Sequence, residues 1–385
     1  MFKDISLTAI TAGFVAVLVG FTSSAVIVFH AAESAGATPA EVSSWLGALG
    51  IGMGITTIGL SLYYRIPVLT AWSTPGAALL ATSLSGVPMA EAIGAFLFCA
   101  ILITLSGVTG WFARAMNRIP MSIASAMLAG VLIRFGMDVF VSMGSQFTLV
   151  LSMFIVYLIS KRLMPRYAIV WVLFCGILVA WFQDLLKLDS FEFGLTELVF
   201  VAPSFSFGTI VGVGIPLFVV TMTSQNIPGI AVMRASGYQP PVSSATAWTG
   251  AATLVLAPFG GFALNLAAIT AAICMGREAH EDPDKRYMAA VSAGILYLIT
   301  GAFAATVAAV FAAFPRELVL GVAGLALLSV IASSLATALE DVSQREAALI
   351  TFLVTGSGVS LFGIGPAFWG LIAGVMTLLA FRRGH

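Results

Sequence analysis

The sequence predicts an all-α polytopic membrane protein, and three observations predict it. Of the 385 residues, 60% are hydrophobic and only 9% are charged, with a mean hydropathy of +1.06. Apolar runs long enough to be helical spans follow one another along the whole chain. Lysine and arginine concentrate in every other polar connection between those runs. A soluble domain is about 25% charged. With so few charges, no soluble fold of this size could cover its surface with polar groups, whereas lipid needs no such cover.

A helix needs about 20 apolar residues to cross the hydrocarbon. Fourteen spans are expected, near 8–32, 42–63, 66–84, 89–113, 119–140, 146–163, 167–186, 208–235, 242–257, 258–276, 287–313, 317–339, 344–359 and 360–381. The first run is far longer than the apolar core of a signal peptide and more spans follow it, so it reads as the first membrane helix. An even number of crossings puts both termini on one side. With that side inside, the inner segments carry Lys3, Arg65, Arg114, Arg118, Lys161, Arg162, Arg166, Arg234, Arg277, Lys285, Arg286, Arg345, Arg382 and Arg383. The outer segments carry only Lys187 and Arg316, and Arg134 lies within the fifth span. This asymmetry is the positive-inside pattern, and it places both termini in the cytoplasm. The outer segments hold Glu33, Glu41, Glu91, Asp184, Asp189, Glu192 and Glu197, read as solvated loops. The longer polar loops are 183–207 and 277–286.

Lys+Arg and Asp+Glu both number 17, so the charge balance points to no nucleic-acid partner. Cys99, Cys175 and Cys274 lie far apart in apolar runs and read as small buried hydrophobes. His30, His280 and His385 lack metal-ligand spacing. The chain has no GxxxxGK[ST], HExxH, GxSxG or CxxC, so neither an ATP-driven pump domain nor a common hydrolase signature is evident. No cofactor and no metal are expected. The GxxxG pairs Gly50/Gly54 and Gly208/Gly212 read as close helix packing rather than dimerisation.

The chain carries a faint internal repeat. An offset of 201 pairs Thr22-Ser23 with Thr223-Ser224, Ala35-Gly36 with Ser236-Gly237, Pro39 with Pro240 and Ser43 with Ser244, without a gap. Further on, Pro67 matches Pro258 and Thr74 matches Asn265. The paired helices are seven spans apart, and an odd number reverses the direction of travel. The halves are therefore expected as a 7+7 inverted repeat, an arrangement shared by many secondary transporters.

Backbone at membrane depth stays irregular only where it is buried in protein or lines a cavity. The third span has Pro67 and then Thr70-Ala-Trp-Ser-Thr-Pro-Gly76; the tenth has Pro258, Gly260-Gly261 and Asn265. Both are expected to be discontinuous. Each following half-helix would offer free N–H groups and a positive dipole end to an anion. The candidate substrate-binding residues are Ser23 and Ser24 on the first span, and Trp72, Ser73, Thr74 and Gly76 on the third. The eighth span adds Ser224, Gln225 and Asn226; the tenth adds Gly260, Gly261, Phe262 and Asn265. Side-chain amides at mid-depth are costly unless paired, so Gln225 and Asn226 are expected to face protein or a cavity. Phe21, Trp72, Phe259 and Phe262 are near enough in sequence to wall an aromatic pocket. Arg134 and Asp138, at i and i+4, are expected to pair with each other. No acid sits clearly at mid-depth in the third, eighth or tenth span, so no proton carrier is evident. An intramembrane enzyme would need a cluster of His, Cys or carboxylates at depth, and a purely structural protein would not need broken helices with polar centres.

With FTSSAVIVFHAAESAG, PVLTAWSTPGAALL, TMTSQNIPGIAVMRASGY and PFGGFALNLAAITAAICMG in its first, third, eighth and tenth spans, the chain resembles the benzoate/proton symporter (BenE) family over its whole length. That family is similar in fold to the uracil and nucleobase transporters and to the sulfate-type anion carriers. The resemblance implies a core of spans 1–4 and 8–11 (residues 1–115 and 208–314) and a gate of spans 5–7 and 12–14 (residues 116–207 and 315–385). It implies a bacterial inner-membrane symporter of protons and an aromatic carboxylate, bound between the half-helices beside span 8. A homodimer through the gate helices is a candidate assembly. Nucleobase carriers usually place acids on the eighth and tenth spans, where this chain has Gln225, Asn226 and Asn265. Neutral amides do not repel a carboxylate, which favours an aromatic carboxylate over the alternatives, a nucleobase or a small inorganic anion.

Overall fold

The structure, a computed structural model, describes residues 4–110, 120–164, 167–187, 193–277, 279–359, 361 and 366–381. Of the charges that orient the chain, Lys3, Arg114, Arg118, Arg166, Asp189, Glu192, Arg382 and Arg383 lie outside these residues, as do the side chains of Thr22 and Ser23.

The first half runs α1 (Leu7–Ser34), α2 (Pro39–Tyr64), β1 (Thr70–Trp72), α3 (Thr74–Ser83), α4 (Met89–Thr109), α5 (Met121–Ser142), α6 (Phe147–Leu163) and α7 (Ala168–Phe182). The second runs α8 (Phe207–Arg234), α9 (Val242–Leu256), β2 (Leu264–Leu266), α10 (Ile269–Met275), α11 (Tyr287–Ala302), α12 (Ala304–Ala313), α13 (Arg316–Ala338), α14 (Arg345–Ser357) and α15 (Pro366–Phe381). Among the described residues six helices are long and apolar enough to cross a membrane: α1, α2, α4, α5, α8 and α13. The pair α11 and α12, bent by 70°, makes a seventh if it counts as one span. Cys99 and Cys274 are buried and Cys175 is half-buried, all three as free thiols.

The helix ends follow local chemistry. Thr38 and Glu41 form a capping box ahead of Pro39, the arrangement that satisfies the free N–H groups of a first turn. Two glycines matched by the internal repeat, Gly36 and Gly237, stand at equivalent places just beyond α1 and α8, with φ of 74° and 86°. Both stop a helix in the left-handed region, where glycine lacks the Cβ clash. In α8, two π turns, Ile210–Gly214 and Met222–Asn226, lie just ahead of Pro216 and Pro228. A proline cannot donate to the carbonyl four residues back and crowds it. Widening the preceding turn relieves that clash without ending the helix.

Packing is closest between α2 and α11, α4 and α9, α1 and α11, and, separately, between α5 and α13, α5 and α14, and α14 and α15. The α2–α11 crossing uses the Gly50/Gly54 pair. A Cβ on Gly50 would lie 2.6 Å from the Gly301 Cα, and one on Gly54 would lie 2.8 Å from the Gly294 carbonyl oxygen. This GxxxG pair therefore packs two helices of the same chain.

One expectation needs correction. Arg134 does not pair with Asp138; its Nη2 donates to the Ser357 carbonyl at 2.8 Å and its Nε to Gly356 at 3.4 Å. Those carbonyls end α14, where no further turn exists to use them and a cation complements the helix dipole. Gly358, with φ of 73°, leaves room for the guanidinium.

Residues 193–206, expected as part of a solvated loop, are exposed or half-buried, yet they form a strap rather than a free loop. This strap is bonded to several helices. Thr196 Oγ1 donates to the Gly301 carbonyl at 2.7 Å and accepts from Ala304 N–H at 2.8 Å, while Thr196 N–H donates to Ala302 at 2.8 Å. One residue thus satisfies the backbone groups freed by the α11–α12 bend. Val199 N–H donates to Ser44 Oγ, Val201 N–H to Pro258 and Ser204 N–H to Ala90. Thr196→Val removes the hydroxyl and leaves two backbone groups without it, so it should cost about 1–3 kcal/mol for each group that water does not reach. Thr196→Ser should retain most of the stability, as read by thermal unfolding in detergent. The acids on this side also have structural work: besides Glu41, Glu91 accepts from Thr209 Oγ1 at 2.6 Å and ties α4 to the start of α8.

Candidate functional site

The two broken segments meet. β1 and β2 pair antiparallel with Thr70 opposite Leu266, Ala71 opposite Asn265 and Trp72 opposite Leu264. Each strand supplies the backbone partners that the other lacks, which is how non-helical backbone survives inside a membrane protein. Because the strands run in opposite directions, α3 and α10 leave the ladder in opposite directions. Both helices therefore start at the ladder, with the positive ends of their dipoles turned toward its midpoint.

Side chains from three helices fix this junction. Thr70 Oγ1 lies 2.6 Å from Thr56 Oγ1 and 2.8 Å from Thr57 Oγ1, and Thr70 N–H donates to Thr57 Oγ1 at 3.0 Å. Those contacts bind β1 to α2. On the other strand, Leu264 N–H donates to Thr253 Oγ1 of α9 at 3.2 Å. Leu266 N–H donates to Asn226 Oδ1 at 2.9 Å, and Asn226 Nδ2 reaches Met222 Sδ at 2.9 Å. Asn226 is fully buried in the second π turn of α8, so the widened turn is what aims its amide at β2.

Trp72 Nε1–H donates to Ser24 Oγ at 3.0 Å, and Ser24 in turn donates to the Gly20 carbonyl at 2.7 Å. Ser73 caps α3 by accepting Gly76 N–H at 3.0 Å, and Ser73 N–H donates to Ala263 at 3.1 Å. The site of a Cβ on Gly76 is already taken by Ser73 and by Leu217 of α8, so this glycine brings the half-helix close to α8. Asn265 Nδ2 donates to the same Ala263 carbonyl at 3.0 Å. That bond sets the amide's orientation, and it leaves Asn265 Oδ1 buried with no hydrogen-bond partner among the described residues. No side chain caps α10. Thr74, Ser224 and Gln225 are half-buried.

Most of the expected residues are thus gathered at one junction: Ser24, Trp72, Ser73, Thr74, Gly76, Asn226 and Asn265, with Ser224 and Gln225 on the same turn as Asn226. The rings do not form one wall. Phe21 packs edge-on to Trp72 at 4.9 Å, whereas Phe262 sits with Trp45 and Phe96 at 6.0 and 5.8 Å, and Phe259 packs on Phe200 at 5.8 Å. Gly260, with φ of 91° and tight against Trp45, turns the chain so that Phe262 enters the cluster of α2 and α4. Gly260 and Gly261 shape that turn. One member escaped the sequence reading: Tyr297 of α11 is buried and lies 6.1 Å from Phe21. Its only signal was a lone hydroxyl-bearing ring in an apolar run. Tested for charge, the ladder (Thr70–Trp72 and Leu264–Leu266) and the π turn Met222–Asn226 carry hydroxyls and amides and neither acid nor base.

This architecture has counterparts among solved structures. The transmembrane domain of a cyanobacterial bicarbonate transporter, BicA, superposes with a TM-score of 0.63 at 11% identity, covering 97% of this chain and 98% of that one. The murine Solute Carrier 26 family member A9 anion transporter, in its inward-facing state, superposes with a TM-score of 0.60 at 15% identity, covering 99% of this chain and 69% of that one. At these identities the likeness concerns the fold. Sequence relatives are much nearer. Inner membrane protein YdcO of Escherichia coli (strain K12) is 50% identical over 379 residues, 97% of each chain. The Benzoate membrane transport protein of Acinetobacter baylyi (strain ATCC 33305 / BD413 / ADP1) is 40% identical over 374 residues, 97% of this chain and 95% of that one. These relatives are membrane proteins, and the second is named for transport rather than for an enzymatic reaction. The BenE family, described as Benzoate membrane transport protein, matches residues 3–379; this chain therefore belongs to the BenE family of membrane transport proteins.

Proposed function

We propose that the protein is a secondary transporter that carries benzoate or a related aromatic carboxylate together with a proton, by alternating access. The observation that carries this reading is the antiparallel meeting of two broken segments, both half-helices presenting their N-terminal ends to a neutral, amide-bearing centre. The carboxylate would lie against the first-turn N–H groups, with Ser73, Thr74, Gln225, Asn226 and Asn265 as polar neighbours and Phe21 and Trp72 against the ring. Asn265 Oδ1 is an acceptor without a donor. The O–H of a protonated acid would satisfy it, which gives the accompanying proton a place on the substrate itself.

In this reading fourteen segments form a 7+7 inverted repeat. Support comes from the opposed course of the two broken segments and from the matched left-handed glycines, Gly36 and Gly237. Segments 1–4 and 8–11 move as a core against a gate of segments 5–7 and 12–14, a division that accords with the separate packing of α2 with α11 and α5 with α13. The distribution of Lys and Arg supports a cytoplasmic position for both termini.

The test is uptake of labelled benzoate into proteoliposomes under an imposed pH gradient. Benzoic acid crosses bilayers unaided, so protein-free liposomes are the control. Absence of protein-dependent, gradient-dependent uptake would refute coupled transport. Gln225→Glu probes the site in the same assay. It adds a negative charge at a half-buried position, where repulsion of a carboxylate costs several kcal/mol. Uptake should drop at least about tenfold, while Gln225→Asn should change it little.

A further inference from the structure

A charged recess lies away from the neutral ladder. It opens at the end of α1 distant from the N-terminus, where the last turn of α1 faces the start of α13 and the chain leaving α7. The cavity holds about 400 Å³ and is lined by His30, Glu33, Lys187 and Arg316 over an apolar floor that includes Phe29 and Phe314. That volume falls within the roughly 300–1,000 Å³ of small-molecule pockets. Lys187 is anchored there by its N–H, which donates to the Ala313 carbonyl at 3.0 Å.

Among the described residues that line it, two cations, Lys187 and Arg316, stand with one acid, Glu33. Among the described residues neither cationic head is in an ion pair or a hydrogen bond, the one ion pair in that set being Lys285–Asp282. Arg316 is also the first residue of α13, where the helix dipole disfavours a cation. Two exposed cations set against one acid, beside an apolar floor, complement a molecule with one anionic end and one apolar body.

We propose that this recess is a capture site for the carboxylate substrate on the face away from the N-terminus. Lys187 and Arg316 take the anion, Phe29 and Phe314 take its apolar part, and Glu33 moderates the attraction. The proposal rests on the aromatic-carboxylate reading above. An anion at such a recess has two sources, a dissolved carboxylate or the phosphate of a lipid headgroup, and the test separates them.

The experiment compares initial benzoate uptake by wild type, Arg316→Gln, Lys187→Gln and Glu33→Gln in proteoliposomes of phosphatidylcholine, with and without phosphatidylglycerol. A second readout is the rate at which a maleimide modifies the Leu320→Cys variant, substituted at a position in the same lining, with and without benzoate. The glutamine variants of the cations should raise KM about three- to tenfold with Vmax within about twofold. The difference should shrink as salt shortens the Debye length from about 10 Å at 0.1 M toward about 3 Å at 1 M. Glu33→Gln should lower KM, and benzoate should slow labelling of the Leu320→Cys variant only while Arg316 and Lys187 are present. Unchanged KM and unprotected labelling in a protein that transports benzoate would overturn the capture site and leave the transport reading standing. A KM effect confined to vesicles containing phosphatidylglycerol assigns the recess to lipid and also overturns it. Protection of the introduced thiol in a protein that takes up no benzoate would keep the site and reject the transport reading.

Discussion

Replacing Asn226 with leucine is expected to lower the thermal-unfolding midpoint and to abolish benzoate uptake. Asn226 is fully buried, and its Oδ1 is the acceptor for Leu266 N–H. Leucine keeps the branched shape, with bulkier methyl groups, but cannot accept. The stranded N–H costs about 1–3 kcal/mol, and the lost pin frees β2 from α8. The half-helices then lose their fixed relation, and a loss of only about 1.4 kcal/mol in substrate binding is already tenfold. Detergent thermal unfolding and proteoliposome uptake, each normalised to folded protein, check the two effects separately. Lower stability with normal uptake per folded molecule would confine Asn226 to a structural role; no change in either would remove the pin from the account.

Gly260→Ala should be the most damaging single-methyl change in the second half. Its φ of 91° lies where an L side chain is strained, and the added Cβ would overlap the Trp45 indole. The backbone contribution is roughly 1–2 kcal/mol, and forcing a methyl into a packed core adds about 1–3 kcal/mol. Gly36→Ala is the comparator, since Gly36 has a φ of 74° but no atom within 4 Å of the new Cβ. Its loss should reflect the backbone cost alone. The overlap is with Cγ, Cδ1 and Nε1 of the indole, so Trp45→Ala in the Gly260→Ala background should restore only the packing share, which a double-mutant cycle on unfolding midpoints would resolve. Equal losses at Gly36 and Gly260 would show that the Trp45 contact contributes nothing.

The two breaks at the ladder were legible because proline and glycine act locally. Pro67, Pro258 and the Gly260-Gly261 pair disfavour a continuing helix through their own backbone sterics. The repeat offset pairs Gly36 with Gly237, and the two adopt the same left-handed conformation. Where partners are distant in sequence, local reading failed. Arg134 and Asp138 have the spacing of a helical ion pair, yet the carbonyls of Gly356 and Ser357 at the end of α14 claim the guanidinium. Thr196 looked like one polar residue in a solvated loop, and its role emerges only once Gly301 and Ala304 are brought beside it by the α11–α12 bend. The aromatic residues near the breaks were equally ambiguous, since adjacency in sequence says nothing about which side of a turn each ring enters.

The sequence by itself determined a lipid-facing composition, the positions of the helical stretches, the two places where helix could not continue, and a polar centre without formal charge. These follow from short-range sterics and from the cost of placing charge and bare backbone in hydrocarbon. Only the tertiary structure decided that the two breaks pair rung by rung, that Asn226 reaches Leu266 across a π turn, and that Phe262 leaves the site for the Trp45 cluster. Those outcomes depend on contacts between segments dozens to hundreds of residues apart, whose energies exist only after the chain has closed on itself.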